Sequence, residues 1–149
     1  MPVSEICNRE VVIARRTETV LDAAKLMRQH HVGDVLVIED RDGIRVPVGI
    51  VTDRDLVIEI MAAGLDANAI TVGDIMLSEL VSVKEGTGVY EAIQYMRANG
   101  VRRLPVVDGK GGLIGIITLD DLLELLSEEL LALSRLVRKE QKVEAGSRR

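Results

Sequence analysis

A chain of 149 residues, 47% of them hydrophobic and 29% charged, has the make-up of a globular protein with a core of ordinary size, not of a disordered or fibrous one. No apolar run approaches the roughly 20 residues of a membrane-spanning helix, and Met1-Pro2-Val3-Ser4-Glu5 carries no basic and apolar leader signal. A net charge of −5, with two Tyr and no Phe or Trp, argues against a nucleic-acid partner, which needs cations for phosphate and rings for stacking. The single cysteine, Cys7, excludes an internal disulfide and points to a reducing, cytoplasmic setting.

In chain order, Glu10 to Ala14 predicts a short strand. Thr19 to His30 predicts a helix with Thr19 as N-cap and Asp22 three residues in. Its apolar face is Val20, Ala23, Ala24 and Met27, at i, i+3, i+4, i+7 spacing. Asp34 to Glu39 and Arg45 to Val51 read as strands joined through Asp42-Gly43, a hairpin dipeptide. Asp53 to Ala63 reads as a second helix, ended by Gly64.

The same order then returns. Ile6 to Val20 aligns on Ile75 to Val89 without a gap, a shift of 69 residues, and Gly49 falls on Gly115, a shift of 66. The second set comprises Leu80 to Val83, Gly88 to Asn99, Arg103 to Val107, Leu113 to Thr118 and a helix from Leu119. The boundaries read as a first repeat at 6–64, a linker at 65–74, a second repeat at 75–131 and an extension at 132–149. The fold class is α/β of the α+β kind, two β-α-β-β-α units related by a pseudo-twofold. The last helix outruns its counterpart. Leu119, Leu123, Leu126, Leu130, Leu133 and Val137 alternate steps of four and three, the seam of paired helices. The charged stretch from Arg138 to Arg149 is expected to fray.

The most informative stretch is Gly49-Ile50-Val51-Thr52-Asp53-Arg54-Asp55-Leu56, which recurs as Gly115-Ile116-Ile117-Thr118-Leu119-Asp120-Asp121-Leu122. In each, a buried strand end delivers a hydroxyl and a carboxylate to a helix start. Two readings stand. The Thr/Asp pairs are helix caps worth about 1 kcal/mol each, or they are halves of a polar binding site.

With His31-Val32-Gly33-Asp34-Val35-Leu36-Val37-Ile38 and Gly100-Val101-Arg102-Arg103-Leu104-Pro105-Val106-Val107-Asp108, these stretches resemble a tandem pair of cystathionine-β-synthase (CBS) domains, over roughly Ile6 to Leu131. The resemblance is to small stand-alone bacterial members. It implies two clefts between the repeats and a regulatory role, with AMP, ADP, ATP, NAD or S-adenosylmethionine as ligand. It also implies a homodimer. The family places the Asp on ribose hydroxyls and the Thr near phosphate, here Asp55 and Asp121 with Thr52 and Thr118. One cleft then joins Thr52, Arg54 and Asp55 to Thr87, Ala92, Val101, Arg102 and Arg103. The other joins Thr118 and Asp121 to Glu18, Ala23, Val32, Gly33 and Asp34, where the two acids would repel phosphate. The first is therefore the expected nucleotide site.

The bland alternatives are core packing for Ala92, Val101 and Ala23, and solvation for Arg54, Arg102 and Arg103. Adjacent His30 and His31 point in different directions, and Cys7 is the only other soft ligand, so no metal site is expected. No nucleophile stands with a base and an orienting group, so no enzyme is expected. A ligand-free scaffold acting through the leucine-rich helix is the competing function.

Overall fold

The structure is a computed structural model that describes residues 1–147. By contacts it separates into Met1–Ile117 and a second unit that begins at Thr118.

In the first unit, a 3-10 turn at Val3–Glu5 precedes β1 (Ile13–Arg15), α1 (Val20–His30), β2 (Asp34–Arg41) and β3 (Ile44–Thr52). Thr19 caps α1 as expected: its hydroxyl accepts the Asp22 N–H at 3.1 Å, and the Asp22 carboxylate accepts the Thr19 N–H at 3.3 Å. Val20, Ala23 and Met27 are buried. The sheet order is β1-β2-β3, with β1 parallel and β3 antiparallel to β2. The β2–β3 turn has positive φ at both Asp42 (51°) and Gly43 (79°), the twist that a tight hairpin needs. Between the Val37–Gly49 and Ile38–Pro47 pairs a bulge leaves Val48 as the extra residue of β3, beside Pro47, whose missing N–H suits an irregular register.

The stretch expected as one regular helix from Asp53 to Ala63 is wound differently. It opens as one α turn, α2 (Asp53–Asp55), and continues as a π-helix over Leu56–Met61. The Ala62 N–H reaches back five residues to the Val57 carbonyl at 2.8 Å. An apolar pattern cannot reveal one residue too many per turn, which is why periodicity missed it.

A short helix, α3 (Val72–Ile75), spans the end of the stretch expected as a linker, and is followed by β4 (Val83–Lys84), α4 (Val89–Asn99), β5 (Arg103–Val107) and β6 (Leu113–Thr118), in sheet order β4-β5-β6. The last two strands fall where the sequence places them. Gly100 ends α4 at φ 62°.

The lead-in of each repeat docks on the other. Asn8 and Ile116 exchange both backbone hydrogen bonds at 2.9 Å, and their counterparts Leu77 and Ile50 do the same at 3.1 and 3.3 Å. The Val3 N–H donates to the Thr87 carbonyl, and the Val72 N–H to the Glu18 carbonyl, each at 2.8 Å. Val72 is fully buried in the first repeat's core with Ala14, Ala23, Met27, Val35, Val37 and Val51. The repeats are thus laced together by backbone pairing, not merely stacked.

The second unit is Thr118 with α5 (Leu119–Ser147). The helix runs on through the stretch from Arg138 that was expected to fray; Arg148 and Arg149 lie outside the described residues. Lys, Glu, Gln, Arg and Ala dominate its last turns, all strong helix formers.

Candidate functional site

The strand end of β3 carries Thr52 into the first turn of α2. The Thr52 hydroxyl accepts the Asp55 N–H at 3.2 Å, and Asp55 Oδ2 accepts the Thr52 N–H at 2.9 Å. Both side chains are part-buried. The cap engages one carboxylate oxygen, Oδ2, and makes no use of Oδ1. Thr118 and Asp121 repeat this geometry, both hydrogen bonds being 3.1 Å. The capping reading is therefore realised at both motifs. It does not consume either acid's full capacity, since a carboxylate has about four acceptor positions.

Across β2 from this cap, Asp34 pairs in register with Thr52. Asp34 Oδ2 lies 3.8 Å from Arg103 Nε, at the start of β5. The two side chains are 21% and 32% exposed. These are equivalent positions in the repeat, 34 and 103, a shift of 69. Residues close to a twofold axis meet their own equivalents, and here an acid meets a base. The expected segregation, arginines in one cleft and acids in the other, thus does not hold at this point. The pairing was legible in principle, because aligned residues of opposite charge are the signal.

Asp53 completes the group. Its N–H donates to the Gly33 carbonyl at 2.9 Å. A Cβ at Gly33 would stand 3.1 Å from Asp53 Oδ2, so position 33 has little room for a side chain. Burial raises the Asp34 carboxyl above its ordinary range; Arg103 opposes that shift and the charge of Asp53 adds to it. Arg103 Nε is buried and has no hydrogen-bond partner among the described residues, because 3.8 Å is an ion-pair distance and not a hydrogen bond. A buried charged donor left without an acceptor is costly and marks a place where an acceptor is wanted.

The other candidate residues fall as follows. Thr87 is half-buried, and its carbonyl holds the Val3 lead-in. Ala92 is fully buried on α4, and Ala23 on α1. Val101 and Val32 are half-buried just past the helix ends, donating their N–H groups to the Met96 and Met27 carbonyls. Arg102 and Arg54 are exposed. The Glu18 carboxylate accepts the Arg15 N–H at 3.1 Å. The structure therefore gathers Thr52, Asp53, Asp55, Gly33, Asp34 and Arg103, linked by register, hydrogen bond or ion pair. Arg102 and Thr87 make none of these links. Among the described residues no group of three or more His, Cys, Asp or Glu side chains is placed to hold a metal ion. No described helix is long and apolar enough to cross a membrane.

Comparison with known proteins accords with this geometry. The model of the CBS domain matches residues 3–62 and again 72–128. An uncharacterized protein of Methanopyrus kandleri is 39% identical over 123 residues, 83% of this chain but only 61% of that protein. Hypoxic response protein 1 of Mycobacterium tuberculosis is 34% identical over 127 residues, 85% of this chain and 86% of that one. Among solved structures, a CBS domain protein from Pyrobaculum aerophilum complexed with AMP superposes with a TM-score of 0.73, at 26% identity, over 85% of this chain and 99% of that one.

Proposed function

The chain belongs to the CBS domain family, as a tandem pair, and from that premise we propose that it is a regulatory module, not an enzyme, whose ligand is an adenosyl compound: AMP, ADP, ATP, NAD or S-adenosylmethionine. The observation that carries the reading is Arg103, whose buried Nε lacks an acceptor beside the Thr52–Asp55 cap. A phosphate oxygen there would give Nε the partner it lacks and replace Asp34 as its counter-charge. The free oxygen of Asp55 suits the two hydroxyls of a ribose. The base would rest against Val101, over the buried Ala92, with Thr87 at the rim and Arg102 reaching in from solvent. Thr118 and Asp121 offer the same hydroxyl–carboxylate pair in the second repeat. The AMP complex of the Pyrobaculum relative supports an adenine nucleotide.

Regulation follows from the ion pair. Asp34 and Arg103 tie one repeat to the other, and a ligand that takes Arg103 releases Asp34. Binding then favours any arrangement of the repeats in which that tie is broken, which is the differential contact a switch requires. The module acts as a cytoplasmic homodimer in this reading.

Calorimetric titration of the purified chain with AMP, ADP, ATP, NAD and S-adenosylmethionine tests it. We expect saturable binding of at least one, weakened tenfold or more by Asp55→Ala and by Arg103→Gln. Silence with all five ligands removes the sensor. Equal binding by wild type and both variants removes the site.

A further inference from the structure

Asp34 opens β2 and Arg103 opens β5, and their side chains meet across the two repeats at 3.8 Å. The carboxylate has few other groups to answer its charge. Thr52, its register partner at the end of β3, carries none. Asp53, the first residue of α2, adds a second negative charge; its carboxylate lies against Gly33, the residue before Asp34. Asp55 is held in the Thr52 cap. α1 packs on this sheet through Ala23 and Met27, which do not titrate, and His31, between α1 and β2, is exposed. Among the described residues, Arg103 is thus the cation that balances Asp34. The Asp34 side chain is only 21% exposed, so solvent screens the pair in part and cannot take the place of the guanidinium.

We propose that the site takes up a proton together with its ligand: when a phosphate engages Arg103, Asp34 is left facing Asp53 and the phosphate, and it accepts a proton from solvent and becomes neutral. No bond of the ligand is made or broken; the carboxylate gains one proton and the solution loses it. The inference rests on the adenosyl-ligand reading above and makes pH a second input to the same module. Burial already raises the Asp34 carboxyl in the free chain, against the pull of Arg103. Withdrawing that pull and bringing a phosphate near act in one direction, further up. By linkage, a ligand that favours the protonated carboxyl binds more tightly where that form is populated. Affinity therefore rises as pH falls through the interval between the bound and free values of the carboxyl, and levels off below the free value. The gain for one proton is at most about tenfold per pH unit. An Asp34 that swung into water on release would keep its charge, and affinity would not follow its titration.

Calorimetric titration with NAD and with AMP between pH 8 and pH 5 tests this. The NAD diphosphate has no group that titrates in that range, whereas the AMP phosphate loses charge near about pH 6, so AMP is read only as the difference between wild type and variant. Wild type should bind NAD several-fold more tightly at pH 5 than at pH 8. At pH 6 it should take up part of a proton, seen as a change in heat between buffers of different ionisation enthalpy. Asp34→Asn, which resembles the neutral carboxyl, should bind NAD equally at both ends of the range and more tightly than wild type at pH 8. A flat wild-type profile, or a variant that keeps the wild-type pH dependence, overturns the proton uptake and leaves the ligand reading standing. Silence with both nucleotides at every pH overturns the proposal, and silence with all five ligands the reading beneath it. If Asp34→Asn fails to fold, Asp53→Asn decides: with one negative charge fewer beside Asp34, the rise in affinity should begin at lower pH, and an unmoved rise overturns the proposal.

Discussion

Replacing Gly115 by Ala tests the lacing of the repeats directly. A Cβ built at Gly115 stands 2.7 Å from the Asn8 carbonyl oxygen and 2.8 Å from Cys7 Sγ. The carbonyl cannot retreat freely, because Asn8 and Ile116 exchange both backbone hydrogen bonds at 2.9 Å. The chain has two responses. It can absorb the clash as overpacking, at about 1–3 kcal/mol, or it can lift the lead-in and lose two hydrogen bonds of about 1 kcal/mol each. Either way the cost is near 2 kcal/mol, offset by the roughly 0.5–1 kcal/mol that Ala gains over Gly within a strand. The net loss of about 1–2 kcal/mol corresponds to a fall in Tm of about 2–8 °C for a chain of this size. The pseudo-equivalent Gly49 is the control. Its Cβ would meet Met76 Sδ at 2.6 Å, part of a flexible thioether that can swing aside, and the Leu77 carbonyl oxygen only at 3.0 Å. Gly49→Ala should therefore cost less than 115 does, under about 1 kcal/mol by partial relief of overpacking. Thermal and urea denaturation of the three proteins measure the difference. A Gly115→Ala protein that melts with wild type, or a Gly49→Ala protein that melts lower, would refute the close approach as described.

Three further outcomes are expected. His31 ends α1 in the left-handed region at φ 53°, where its counterpart is Gly100 at φ 62°, so His31→Gly should stabilise the chain by up to about 1 kcal/mol in urea denaturation. The raised carboxyl of Asp34 favours the folded state below the ordinary carboxylate range, and that contribution is lost as pH rises through the raised folded value; Asp34→Asn should thus gain in Tm relative to wild type between pH 4 and pH 7, and a constant difference would refute it. Thr19→Ala and Thr52→Ala each remove a cap hydroxyl and should each cost about 1 kcal/mol, but only Thr52→Ala should weaken nucleotide binding in calorimetry; equal binding by both leaves Thr52 as a cap alone.

What was legible in the sequence was whatever a repeat or a local rule encodes. Asp42-Gly43 announces a turn with two positive φ values because few residues tolerate them, and both values are there. Arg103 to Val107 and Leu113 to Thr118 are short apolar runs between turn residues, and they are strands to the residue. What escaped was set at a distance or on too small a scale. The lead-in turns, Val3–Glu5 and Val72–Ile75, have no periodicity to detect. Their value lies in backbone pairing with the opposite repeat, which no local pattern records. The alignment of Cys7 on Met76 did foreshadow it, for each sits against the strand glycine of the other repeat, Cys7 at Gly115 and Met76 at Gly49.

The Thr-x-x-Asp spacing occurs at Thr19, Thr52, Thr71 and Thr118, and at all four the Asp carboxylate accepts the Thr N–H, at 2.9 to 3.3 Å. Spacing alone cannot separate a cap from a site, because the same carboxylate–amide bond forms at all four. Context separates them. Thr52 lies opposite Asp34 in the strand register, and Asp34 faces an arginine from the other repeat. Thr19 faces Thr71 in an isolated bridge, one cap against another. A cap uses the hydroxyl and one carboxylate oxygen, and it holds both groups rigid. That rigidity is what a binding site needs from its polar groups. Under the proposed reading, capping and recognition are two uses of one arrangement at Thr52 and Asp55, and the Arg103 nitrogen, without a partner among the described residues, sets that cap apart from those at Thr19 and Thr71.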